Sequence, residues 1–321
     1  MAVERALGCL YGQFIGDALG SRYEFKRAPV VQAMIEADRL PSGFLPLLGD
    51  GPFGYGPGVV TDDGEMAQSL LSSLIRMTSM DGGHVAVSYK RWSLTRPPDI
   101  GNTCQAALNG IPEELKQREA LERKDWHSLL SSQDRDAIKK EIQSRVKKYN
   151  AESLSNGSLM RQSVMAAFFG PSIDSALSAV REDTSFTHSH PDALAASLLY
   201  TRALHALIQG KSPMEVHQDC LSSTESALLR TILSNSSSCA TPVALPSGGY
   251  TDTNGAIVAA MLGARFGLEA IPKQWRETVE KAPMRMEVRG KEREERITRL
   301  QGENGIESFA FLVKGISDRY E

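Results

Sequence analysis

The chain has 321 residues, and its 36 Lys and Arg stand against 39 Asp and Glu for a formal net charge of -3. No global positive field exists to hold a polyanion, which excludes a general nucleic-acid binder. Hydrophobic residues make up 41% and charged ones 23%, so the chain can bury a core and does not have the composition of a disordered polymer.

The first predicted helix carries Gly8, Gly12, Gly16 and Gly20, one glycine every four residues, among Leu7, Leu10, Tyr11, Phe14, Ile15 and Leu19. Each interior helical glycine costs about 1 kcal/mol relative to alanine, so the stripe requires a packing reason, the close approach of a second helix. The apolar run Ala6 to Gly20 is interrupted by Gln13 and Asp17 and shows no cleavage pattern, so neither a membrane span nor a secretory leader is expected. A cytoplasmic protein without a membrane partner is the expectation. Cys9, Cys104, Cys220 and Cys239 are scattered with no C-x-x-C pair, as befits reduced, buried thiols.

Residues 41 to 58 hold six glycines and four prolines and form a loop. It runs into Thr61-Asp62-Asp63-Gly64-Glu65, directly before a helical pattern of Met66, Leu70, Leu71, Leu74 and Ile75. Residues 113 to 148 carry 18 charged side chains in 36 positions, with helical spacing around Leu115, Leu121, Ile138 and Ile142, and read as a solvated helical insertion. Lys281 to Arg299 reads as similarly solvated. Leu194, Leu198, Leu199, Leu204 and Leu207 repeat the helical spacing, and a second small-residue stripe follows at Gly255, Ala259, Gly263 and Gly267. The two stripes are expected to cross tightly in the core. Strand patterns are scarce, so the fold expected is all-α, a compact many-helix bundle forming one domain over 1–321 with a charged insertion at about 111–150.

Thr61 is a good N-cap, and acids are favoured in a first helical turn, which accounts for one of the two adjacent carboxylates. A hydroxyl and two carboxylates at a helix start are also the hard oxygen ligands that Mg²⁺ or Mn²⁺ takes, and capping and metal binding account for the motif equally well. The arrangement recurs at Gly248-Gly249-Tyr250-Thr251-Asp252-Thr253-Asn254, where a glycine pair frees the chain to turn into a helix. Two oxygen-rich helix starts some 190 residues apart are expected to face one another across a shared site.

Six segments in order resemble the motifs of the ADP-ribosylglycohydrolases, the group related to the dinitrogenase reductase activating glycohydrolase. They are Gly8–Phe25, Thr61–Leu70, Asp99–Leu108, Glu152–Arg161, Thr187–Pro191 and Leu245–Asn254. The resemblance implies an all-helical orthogonal bundle with two Mg²⁺ or Mn²⁺ ions and ADP-ribose as ligand. It also implies removal of ADP-ribose from mono-ADP-ribosylated protein side chains, arginine first, by attack of a metal-activated water at the anomeric carbon. Position by position, Thr61, Asp62, Asp63, Asp252 and Thr253 match metal ligands, and Asp62, Asp63, Asp252 and Glu24 match the catalytic acids, Glu24 being the proton acceptor.

One position departs from the family pattern. The second metal motif usually reads Gly-Gly-Asp-Thr-Asp, and here Tyr250 replaces the first Asp. A phenol with a pKa near 10 is a poor ligand for a hard cation. Either water or an acid such as Glu24 completes the shell, or one ion is held weakly, or the protein is a catalytically weakened or inactive ADP-ribose binder. Gly101, Asn102 and Thr103, with Ser155, Asn156, Gly157 and Ser158, form polar turns suited to ligand oxygens and equally to ordinary capping. His188, beside His190 and Pro191, suits capping or contact with the sugar better than zinc, and Tyr250 borders the same ligand site. Phe53 and Tyr55 could stack on adenine or pack locally. A prenyl-transfer enzyme would need D-D-x-x-D, and Gly64, Glu65 and Met66 follow the acid pair instead.

Overall fold

The computed structural model describes residues 1–110, 126–235, 248–282 and 309–320. Fifteen α-helices lie among these residues, and the only β pairing among them is two isolated bridges, Arg27 with Gly248 and Asp50 with Tyr55. No described helix is long and apolar enough to cross a membrane. The calls on residues 113–125 and on most of Lys281–Arg299 lie outside the described residues, as does Cys239.

Helix α1 (Ala2–Gly20) is buried from Ala6 to its end and forms the axis of the molecule. Its partner is α13 (Thr251–Phe266), and the two glycine stripes interlock along their whole length. A Cβ on Gly8, Gly12, Gly16 or Gly20 would meet the backbone carbonyl oxygen of Gly263, Ala259, Gly255 or Thr251 at 2.4, 2.1, 2.1 and 2.1 Å. The helices therefore run antiparallel with their backbones touching, so the end of α1 meets the start of α13. The expected close approach is realised as sustained pairing over four turns.

Around this pair stand α3 (Asp62–Met77), α8 (Ser163–Phe168), α10 (Pro191–Ile208), α14 (Lys273–Lys281) and α15 (Phe309–Ser317). Helix α3 is buried from Asp62 through Leu74, so its charged first turn is as enclosed as its apolar length. Further out, α4 (Gly82–Leu94), α5 (Asn102–Leu108) and α9 (Ile173–Thr184) flank α3 and α10, with α11 (Pro213–Ser223) and α12 (Ala227–Asn235) against α10. The short α2 (Ala28–Asp38) and α6 (Trp126–Leu129) lie between longer neighbours. The main hydrophobic cluster extends from Ala6 to Ile316, with smaller ones at Tyr23, Val31 and Ile35 and at Tyr55 and Val59.

The charged stretch before residue 149 is more embedded than its composition indicates. Helix α7 (Ser132–Tyr149) begins with a capping box between Ser131 and Asp134 and buries Ile138, Ile142 and Val146 against α4 and α5. Its stripe recurs every four residues, so one face is core and only the others are solvated.

Candidate active site

The antiparallel pairing of α1 and α13 places the residues after Gly20 beside those before Thr251. Thr251 Oγ1 donates to the Gly20 carbonyl at 2.7 Å, closing the junction. One 3₁₀ turn, Ser21–Tyr23, then delivers Glu24. The next residues pair with the entry to α13: the Phe25 N–H donates to the Gly249 carbonyl (2.8 Å) and the Gly249 N–H to that of Lys26 (2.9 Å). Gly248 has φ +71, and a Cβ there would lie 2.5 Å from the Lys26 carbonyl oxygen, so both conformation and space require glycine.

The start of α3 is fixed from two sides. Thr61 caps the helix, its hydroxyl accepting from the Asp63 N–H at 3.3 Å. Beneath it, the carboxylate of Asp17 on α1 accepts from the Thr61 N–H (3.1 Å) and the Gly64 N–H (2.8 Å). From the other side Asp99 accepts from the Asp62 N–H (3.1 Å) and the Tyr55 hydroxyl (2.6 Å), while the Gly101 N–H donates to Asp62 Oδ2 (3.2 Å).

The two helix tips meet. Asp62, Asp63 and Asp252 are buried and each offers a carboxylate oxygen within 4.8 Å of the others. The Thr253 N–H donates to Asp252 Oδ1 at 2.8 Å, and Glu24, Asp252 and Thr253 line the same cavity as Asp62 and Asp63. Burial first, and the neighbouring negative charges second, hold Asp17, Asp62 and Asp63 well above the usual carboxylate range. Burial also raises Asp252, pushes Glu24 to about 9, with Asp252 and Asp99 adding to it, and pushes Asp99 to about 7, with Glu65 adding.

The residues fit a hard divalent cation on two counts. The donors are oxygens without any sulfur or imidazole, the set that Mg²⁺ and Mn²⁺ prefer. In addition, Glu24 Oε2 and Asp63 Oδ1 are buried with no hydrogen-bond partner, which leaves them acceptor capacity that a cation would satisfy.

A cavity of about 730 Å³ opens above the acids. Glu24, Asp62, Asp63, Asp252 and Thr253 line it together with Gly101, Asn102, Thr103, Ser155, Asn156 and Gly157. Thr61 lies beneath the acids, fully buried. Ser158 and His188 do not line the cavity. Ser158 bonds Ser197 at 3.1 Å, and His188 is buried behind the wall with Nε2 2.9 Å from Ser155 Oγ. Tyr250 borders the mouth but is 63% exposed and meets the ring of Phe25 edge-on at 6.1 Å, outside the acid cluster. Phe53 also lines the mouth and stacks on Tyr55, whose hydroxyl is committed to Asp99.

Sequence reasoning missed Asp17 and Asp99. Asp17 stood out only as a charge in an apolar glycine-striped run, and a lone acid on the packed face of such a helix is a signal for a buried hydrogen-bonding role. Asp99 precedes the polar turn at Gly101 in a proline-containing loop and opens the Asp99–Leu108 motif, but no role was assigned to it.

The family model for ADP-ribosylglycohydrolase matches residues 2–246 and 234–305. Protein L543 of Acanthamoeba polyphaga mimivirus is 31% identical over 221 residues, covering 67% of this chain and 58% of that protein. The ADP-ribosyl-[dinitrogen reductase] glycohydrolase of Rhodospirillum rubrum is 25% identical over 298 residues, covering 85% and 89%. The ADP-ribosylarginine hydrolase Tri1 of Pseudomonas putida (strain GB-1) is 27% identical over 221 residues, covering 67% and 49%. The chain thus spans about half the length of two of these relatives and most of the third. A solved structure titled "ADP-ribosylglycohydrolase-related protein complex" shares the fold, with a TM-score of 0.63 at 20% identity over 100% of this chain and 99% of that one. With its joined acidic helix tips and a family match along most of its length, the chain belongs to the ADP-ribosylglycohydrolase family.

Proposed function

We propose that the protein is a divalent-metal-dependent hydrolase that releases ADP-ribose from mono-ADP-ribosylated protein side chains, with arginine the preferred linkage. The observation that carries this reading is the convergence of Asp62, Asp63 and Asp252 at the floor of a cavity large enough for a nucleotide sugar. The names of the R. rubrum and P. putida relatives support the substrate class and the arginine linkage.

Thr61, Asp62, Asp63, Asp252 and Thr253 would hold two Mg²⁺ or Mn²⁺ ions, with Glu24 facing them. When bound, the ions would supply Lewis-acid polarisation and a water of lowered pKa. The chain's own residues do the rest. Glu24 lines the cavity, and with cation charge offsetting the Asp252 and Asp99 carboxylates that raise it, it would be ionised and would accept the proton of the attacking water. The polar turns at 101–103 and 155–157 hold the nucleotide sugar still, the positioning share of catalysis. Tyr250 lies at the mouth, so the acids gather without a carboxylate at that position.

The test is a purified-protein assay with Mn²⁺ or Mg²⁺. Release of ADP-ribose from an ADP-ribosylated arginine protein is the expected result. Tight binding of ADP-ribose without turnover would make the protein a reader, and release from serine but not arginine would reassign the linkage.

A further inference from the structure

Behind the cavity wall lies a charged pair that belongs neither to the acid cluster nor to the cavity. Arg161 closes the 3₁₀ turn Leu159–Arg161, and Asp183 stands in the last turn of α9. Arg161 Nε and Asp183 Oδ2 are 2.9 Å apart, and both side chains are 0% exposed. Taking two charges out of water is expensive, so such a pair persists only where the remaining donors and acceptors are satisfied. Here they are. Asp183 also accepts from the Tyr89 hydroxyl (2.6 Å) and Gln162 Nε2 (2.6 Å), and Arg161 Nη2 donates to the Asp183 backbone carbonyl (3.0 Å). The Tyr89 ring faces the guanidinium at 5.0 Å.

Two donors of Arg161 leave the pair and reach the wall. Nη1 donates to the carbonyl of Gly157, which lines the cavity, and Nη2 to Thr187 Oγ1 at 3.1 Å. From Thr187 the connection continues outward: its hydroxyl meets His188 Nδ1 (2.9 Å), His188 Nε2 meets Ser155 Oγ (2.9 Å), and Ser155 Oγ bonds Thr103 Oγ1 (3.0 Å). Segments 101–103, 155–157 and 187–188 are separate in sequence, and one planar guanidinium ties them into one register. A lysine could not replace it, because an ammonium is a point donor that cannot serve two diverging acceptors and a carboxylate in one plane.

We propose that Arg161, anchored by Asp183, is a positioning residue for ligand binding: it fixes the Gly157 carbonyl directly and the Ser155 and Thr103 hydroxyls through Thr187 and His188, so that the polar wall is set before ADP-ribose arrives. This rests on the ADP-ribose reading above. It also gives His188 a role from behind the wall, as a relay between Thr187 and Ser155.

The test compares Thr187→Val, Thr187→Ser and Arg161→Lys with wild type, measuring ADP-ribose binding by calorimetry with Mn²⁺ present and kinetics on an ADP-ribosylated arginine protein. Thr187→Val deletes the outward arm while leaving the Arg161–Asp183 pair, and so carries the test if Arg161→Lys does not fold. It is expected to weaken ADP-ribose binding and raise KM by about tenfold, the worth of one to two buried hydrogen bonds. Over the same change kcat should move by no more than about threefold. Thr187→Ser, which keeps the hydroxyl, should restore wild-type binding, and the Mn²⁺-induced thermal shift without ADP-ribose should be unaltered, because the acids stand on other elements. Wild-type affinity in folded Thr187→Val, or equal loss of Mn²⁺ and ADP-ribose binding, overturns the proposal. Failure of the wild type itself to bind ADP-ribose would instead overturn the functional reading, and the positioning role with it.

Discussion

A Cβ on Gly16 would lie 2.1 Å from the carbonyl oxygen of Gly255, and one on Gly255 would lie 2.3 Å from that of Gly16. The obstruction is backbone on both sides, so no side chain can swing away. Alanine gains about 1 kcal/mol of helix propensity over glycine, whereas overpacking against a fixed backbone costs about 3 kcal/mol or more, and the second effect wins. Gly16→Ala should therefore destabilise the protein by about 2 kcal/mol or more in urea unfolding. It should also weaken Mn²⁺ binding, because the same pairing brings Glu24 to Asp252. Wild-type stability would show that α1 and α13 are not in backbone contact.

Replacing Asp62 and Asp63 by Ala should remove the thermal stabilisation that Mn²⁺ or Mg²⁺ gives the wild type, which at a hundredfold excess over Kd is about 2.7 kcal/mol. In EDTA the direction reverses. The variant sheds two buried, mutually repelling carboxylates and should unfold at a higher temperature than the wild type. Calorimetry with and without cation reads both signs, and a cation shift retained in the variant would place the ions elsewhere.

Asp17 touches no ligand, yet it holds the Thr61 and Gly64 N–H groups that set the α3 tip. Asp17→Asn replaces one acceptor oxygen by a donor facing those N–H groups. Supporting residues of this kind are worth about tenfold to a hundredfold in metal affinity, and a loss of that order is expected in Mn²⁺ titration. Unchanged affinity would make Asp17 a helix cap only.

Tyr250 occupies the N-cap of α13 without a capping hydrogen bond. Tyr250→Asn should add about 1 kcal/mol of capping stability and leave Mn²⁺ affinity as it is. Tyr250→Asp should add the same cap and tighten Mn²⁺ binding through one more carboxylate. If both variants bind Mn²⁺ as the wild type does, the shell is complete without position 250.

His84 is 3% exposed and hydrogen-bonded to Ser73 through Nδ1 (2.7 Å). Burial, reinforced by Arg135, lowers it to about 4. Its folded pKa lies below the unfolded value of about 6.5, so the unfolded chain binds the extra proton between these values. The associated stability, about 2 to 3 kcal/mol, is present in full above pH about 6.5 and is lost as pH falls towards about 4. The stability difference between wild type and His84→Gln should shrink on moving from neutral pH to about pH 5. A pH-independent difference would mean that folding leaves the imidazole's affinity for protons as it is in the unfolded chain.

Much of the fold was legible because its strongest signals are local. The glycine periodicities announced both central helices, and Thr61 with its acids announced the tip of α3. The antiparallel sense of the pair was not legible, since a four-residue stripe reads the same in both directions, and without it the adjacency of Glu24 and Asp252 could not be derived. The wall residues divide along a similar line. Ser155 and Gly157 face the cavity while Ser158 and His188 stand behind it, a distinction set by the packing of α9 and α10 rather than by the motif. In the charged stretch the spacing of Ile138 and Ile142 was legible, but the burial of that face, with Val146, against α4 and α5 was not.

The pairing of Gly20 with Thr251 also bears on biosynthesis. Helix α1 is synthesised well before α13, the partner that fills its grooves. Until α13 has emerged, that face has no complementary surface, and the two acidic tips cannot come together. Such long-range closure makes folding slow and leaves early intermediates adhesive. A ribosome stalled before residue 251 would hold a chain rich in helix whose acidic site has not yet formed.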